Sequence, residues 1–65
     1  MGAIEKIKAM MDTEIVARDS TAEALKVTND PVAIAGLVVK YGAHCAAAGA
    51  FLAALEAIEK EQGEA

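Results

Sequence analysis

Sixty-five residues with a net charge of −4 and an isoelectric point near 4.7 bound this chain to one small, acidic domain. Residues 1–30 carry four basic and six acidic groups and residues 31–65 carry two and four, so neither half is a basic arm. That disfavours binding to a nucleic-acid backbone, which needs clustered Lys and Arg, and one Tyr with one Phe makes no base-stacking platform; nucleic acid is not an expected partner.

The first eleven residues, MGAIEKIKAMM, lack the uninterrupted apolar core and cleavage site of a secretory leader. Gly2 suits an acylated N-terminus, but position 6 is Lys where the myristoylation pattern has Ser or Thr. Cys45 is unpaired, which fits a reducing compartment, and a cytoplasmic location is expected.

Residues 2–27 read as an amphipathic helix. Ile4, Ile7, Met11, Ile15, Ala22 and Leu25 recur at spacings of three and four and share one stripe, with Glu5, Lys6, Asp12, Asp19 and Glu23 away from it. Ser20 with Glu23 has the capping-box spacing, so a helix that restarts there is the alternative to a continuous one. Thr28-Asn29-Asp30 is a short polar turn, and a short turn between helices makes them antiparallel neighbours.

Asp30-Pro31 is a start signal, because Asp caps orphan amides and Pro loses nothing at the first helical position. From there to about residue 61 no proline interrupts, and a second helix is expected over 31–61, with Gln62 to Ala65 as a frayed tail. Between Pro31 and Leu55 the only formally charged side chain is Lys40. Gly42 and Gly49 share a strip with Ala35, Ala46 and Ala53, which lets another helix approach toward the short end of the usual 8–10 Å. A second strip of larger residues holds Ile34, Val38, Tyr41, Cys45 and Leu52, and Leu37, Phe51, Leu55 and Ile58 carry the apolar surface further round. A helix apolar on nearly every side is deeply buried or in a membrane.

A two-helix chain with a single internal interface, and no disulfide, buries too little apolar surface to offset the ordering of its residues. Self-association is therefore expected. The reading is an all-α antiparallel helical hairpin that assembles into a four-helix-bundle-like homo-oligomer. Ala35, Val38, Gly42, Cys45, Ala46, Gly49, Leu52 and Ala53 are the expected oligomer interface. A transmembrane span is disfavoured: Lys40 would sit near the bilayer centre, and no Trp or basic cluster marks an interface.

With the turn at residue 29, residues whose numbers sum to about 58 face each other. Glu14 then meets His44, and Arg18 lies near Lys40 and Tyr41. Arg18 is the charged residue on an otherwise apolar stripe. Arg18, Tyr41 and His44, with Cys45 beside them, are candidate ligand-binding residues, since a guanidinium binds carboxylate or phosphate bidentately. The alternative is that Arg18 lays its stem along the core and reaches Glu14 or a partner subunit's carboxylate. Adjacent helical residues point about 100° apart, so His44 and Cys45 cannot chelate one ion, and no metal, cofactor or catalytic group is expected. Met1, Met10 and Met11 are candidates for an adaptable recognition surface, with Met11 also placed to serve the core. The function expected is non-enzymatic: a small interaction or regulatory protein (an inhibitor, adaptor or assembly factor) that binds itself and another protein. A small-molecule or nucleotide binder with an inter-subunit pocket at Arg18 is the alternative, and a single-pass membrane peptide a further one.

Overall fold

A computed structural model describes residues 2–64 of the chain, with side chains to Gly63. Two helices, α1 (Ala3–Val27) and α2 (Pro31–Glu64), lie against each other as a hairpin with extents of 53 × 18 × 13 Å. The long dimension is that of α2 itself, since 34 residues at about 1.5 Å each span roughly 51 Å.

The helix signals act as the sequence predicts. Asp30 Oδ2 accepts the Ala33 N–H at 3.1 Å, and the Asp30 carbonyl accepts the Ile34 N–H at 2.9 Å. Asp30 thus accepts the first intrahelical bond of α2 with its carbonyl and satisfies one orphan donor of the first turn with its side chain. At the other side of the turn Thr28, in an extended conformation, ends α1 and donates its hydroxyl to the Ala24 carbonyl at 2.6 Å. Lys26 sits in the last turn of α1, where its charge suits the negative end of the helix dipole, and pairs with Glu23 at 2.9 Å. α1 runs unbroken through Ser20, so the restart there does not occur.

The second helix is longer than expected. It continues to Glu64, so residues 62–64 are helical and not a frayed tail; Ala65 lies outside the described residues. Glu59, Lys60, Glu61 and Gln62 are all good helix formers, and the cost of Gly63, about 1 kcal/mol, falls where the helix is ending anyway.

The helices meet along two matching seams. On α1 the partly covered residues include Ile4, Ile7, Met11, Glu14, Arg18, Thr21 and Leu25. On α2 they include Ile34, Leu37, His44, Ala48, Phe51 and Ile58, with Leu55 buried at 4% exposure. The α1 set alternates steps of three and four, and the α2 set does so apart from one step of seven between Leu37 and His44, where Tyr41 is exposed; this is the spacing that keeps one seam facing a partner helix. Leu55 is the one fully buried hydrophobic residue among the described residues. The larger residues of α2 divide between faces: Leu37, Phe51 and Leu55 pack inward, whereas Val38 and Leu52 do not.

Candidate functional site

Two regions hold the residues singled out by the sequence. The first is a polar cluster at mid-hairpin. His44 Nδ1 lies 2.6 Å from Glu14 Oε2, joining the helices as the pairing about residue 29 predicts. Their side chains are 30% and 28% exposed, so the bond is partly shielded from water. Arg18 does not reach Glu14. Its Nε and Nη2 both donate to Asp19 Oδ1, at 3.1 and 2.9 Å, on the solvent side of α1. The guanidinium is held above its ordinary pKa first by that hydrogen bond and next by the Asp19 charge, with smaller contributions from Cys45 and Tyr41. Arg18 is therefore a permanent cation already partnered within its own chain.

Arg18 also sits one turn further along α2 than expected. It lines an open groove of about 280 Å³ with Met11, Ile15, Cys45, Ala48, Gly49 and Leu52, while Lys40 is absent from that groove. Helical side chains tilt toward their own N-terminus, and on an antiparallel hairpin that carries a long α1 side chain toward higher-numbered residues of α2. The structure thus brings Arg18 to Cys45 and within electrostatic range of Tyr41, and it gives His44 to Glu14. Of the three expected ligand-binding residues, Arg18 lines this groove and Tyr41 and His44 do not. Among the described residues no group of three or more His, Cys, Asp or Glu side chains is placed to hold a metal ion.

The second region is the outer face of α2. Ala35, Val38, Gly42, Ala46, Gly49, Leu52 and Ala53 are exposed, and Cys45, at the groove, is half-buried. No atom lies within 4 Å of where a Cβ would stand on Gly42 or Gly49, so the space beside both is open in the single chain. Val39 belongs to the same face, at 72% exposure, and the sequence reading passed over it. Its signal was present, because it stands four residues after Ala35 and three before Gly42. Of the methionines, Met10 is half exposed, Met11 is in the seam and lines the groove, and Met1 lies outside the described residues.

Neither a protein-family model nor a curated protein nor a solved structure matches this chain.

Proposed function

We propose that this chain is a small non-enzymatic interaction protein of regulatory or adaptor type, which acts as a homo-oligomeric helical bundle built through α2. The observation that carries this reading is the uncovered outer face of α2. A folded protein of 6.7 kDa exposes about 3,900 Å² by the usual scaling with mass, whereas this hairpin exposes 4610 Å². The surplus is rich in large apolar side chains, with Val32 at 80%, Val39 at 72%, Val38 at 55% and Leu52 at 49% exposure. The outer positions of α1 mix Glu5, Lys6, Asp12 and Glu23 with the exposed Met10, Val16 and Val27, so its apolar exposure is interrupted by charge. A contiguous apolar face on a small protein marks an interaction surface. The free thiol of Cys45 suits a reducing compartment, and a cytoplasmic site of action is part of the proposal.

Molar mass by light scattering in detergent-free buffer tests it. A sharp species at two or more times the chain mass supports the bundle, and a well-folded monomer overturns it. A second reading rests on Pro31–Gly63, which is long and apolar enough to cross a bilayer: its most apolar 18-residue window has a mean hydropathy of 1.4 and is 6% buried. Aggregation that detergent cures moves the assignment to that membrane reading.

A further inference from the structure

We propose that the occupant of the outer face of α2 is a second copy of the chain, docked with its α2 antiparallel. The pairing sets Ala35 opposite Ala53, Val39 opposite Gly49 and Gly42 opposite Ala46. This rests on the oligomeric reading above and adds to it the partner helix, its direction and its register.

Three observations carry it. The exposed positions Ala35, Val39, Gly42, Ala46, Gly49 and Ala53 alternate steps of four and three, as the inner seam does. That is the spacing a helix needs to keep one seam against another helix, and here it lies on the exposed face of α2, with Gly49 at the edge of the groove shared with Met11, Ile15 and Arg18 of α1. No charged residue interrupts it between Ala35 and Ala53, and Lys40 falls outside it, on the flank of Gly36, Ala43 and Ala47.

The area also fits. The hairpin exposes about 700 Å² more than the scaling with mass, and an interface that covered this much on each of two copies would bury about 1,400 Å² in total. Stable specific interfaces bury roughly 1,200–2,000 Å² in total.

Charge then selects the direction. In a parallel pair the Glu56, Glu59 and Glu61 carboxylates of both copies would gather at one end, together with two like-pointing helix dipoles. In the antiparallel pair Glu56 falls beside Val32 of the second copy, at the positive amino end of its α2. Glu59 and Lys60 fall at the turn that holds Asp30 of the second copy, and Glu61 falls beside Val27, next to Lys26. Register follows from size. A Cβ on Gly49 would meet nothing within 4 Å, so the position is an open hole, and the isopropyl group of Val39 from the second copy fills it. Sliding the pair by one heptad one way would set Val39 against Glu56 and Ala35 against Lys60; sliding it the other way would pair Val39 with Gly42 but carry Ala53 past the start of the second α2, to Thr28. A two-fold axis near residue 44 makes each contact occur twice, as an isologous dimer requires.

Disulfide trapping in the full chain, with Cys45→Ser as background, tests direction and register together. Ala35→Cys with Ala53→Cys in one chain is expected to oxidise to a covalent dimer in high yield. Ala35→Cys alone is expected to stay uncrosslinked, because its copies stand about 18 residues, roughly 27 Å, apart along the axis. Val39→Cys with Gly49→Cys, against Val39→Cys alone, repeats the comparison at a second layer. Efficient crosslinking of either single variant shows a parallel pair and overturns this inference while the oligomer stands. So does an oligomer in which neither double variant crosslinks. A monomeric mass for the Cys45→Ser chain overturns the oligomeric reading itself, and a requirement for detergent transfers the face to lipid.

Discussion

Glu14 and His44 tie α1 to α2 at mid-length through a 2.6 Å hydrogen bond, the one side-chain bond between the two helices among the described residues. An ionised carboxylate only accepts, so the imidazole pairs with it as donor, in the form that carries a proton on Nδ1. The bond sits in a seam that is otherwise mainly apolar, where it fixes which residue of α2 stands opposite which of α1. Removing one partner leaves the other half-buried and unpaired. A double-mutant cycle with Glu14→Ala and His44→Ala, read by thermal melting at one fixed chain concentration, should give a coupling of about 1 kcal/mol. Each single variant should melt about 4–8 °C lower per kcal/mol lost. Strict additivity would show that the bond adds nothing to the hairpin.

Asp30 supplies both the cap and the turn into α2, so Asp30→Ala should cost about 1 kcal/mol, most of it recovered by Asp30→Ser or Asp30→Asn. Urea midpoints for the three variants decide this. Equal loss in all three would mean that the Ala33 N–H bond contributes nothing and that the Asp30 charge acts in some other way.

The path of the chain was legible because its punctuation is strong. Asp30-Pro31 and the three-residue polar turn fix two antiparallel helices, and the turn centre alone places Glu14 at His44. The stripe of α1 was legible as well, since Asp, Glu and Lys mark its outer face. What could not be read was which side of α2 turns inward. Periodicity is a contrast between apolar and polar positions, and α2 offers almost none: Val38 and Leu52 are as apolar as Leu37 and Leu55. The inward choice is made by packing against α1, where Leu37, Phe51 and Leu55 fill the seam and His44 finds a carboxylate. Arg18 illustrates a second limit. Position on a stripe gives the direction of Cα–Cβ, but a long side chain ends elsewhere, and Asp19, its immediate neighbour, takes the charge that a more distant partner was expected to take.

That arrangement of Arg18 gives a third prediction. Its charge is satisfied on the solvent side by Asp19, and only its stem lies over the groove with Met11, Ile15 and Leu52. Arg18→Leu keeps the apolar cover and removes the charge, so the melting temperature should rise. The Asp19 bond and charge raise the Arg18 pKa further above its ordinary value, so the guanidinium stays protonated throughout the usable range. A lower melting temperature for Arg18→Leu, together with loss of binding to an anionic ligand, would restore the ligand-pocket reading of this position.

The glycines of α2 separate what the helix needs from what an assembly needs. A Cβ added at Gly36, Gly42 or Gly49 meets nothing within 4 Å in the single chain, so none of the three is required by the hairpin itself. Each costs about 1 kcal/mol of helix stability relative to Ala. Gly36 lies off the outer seam, and Gly36→Ala should therefore raise the melting temperature by several degrees without changing molar mass. Gly49 lies in the seam opposite Val39 of the second copy. Gly49→Leu should leave the isolated hairpin helical by circular dichroism, yet push the second α2 away and shift light scattering from oligomer to the 6.7 kDa chain. The contrast between the two substitutions carries the argument, because both improve helix propensity and only one obstructs close approach. A Gly49→Leu chain that keeps the native mass and melts no lower would show that no helix approaches α2 at that point.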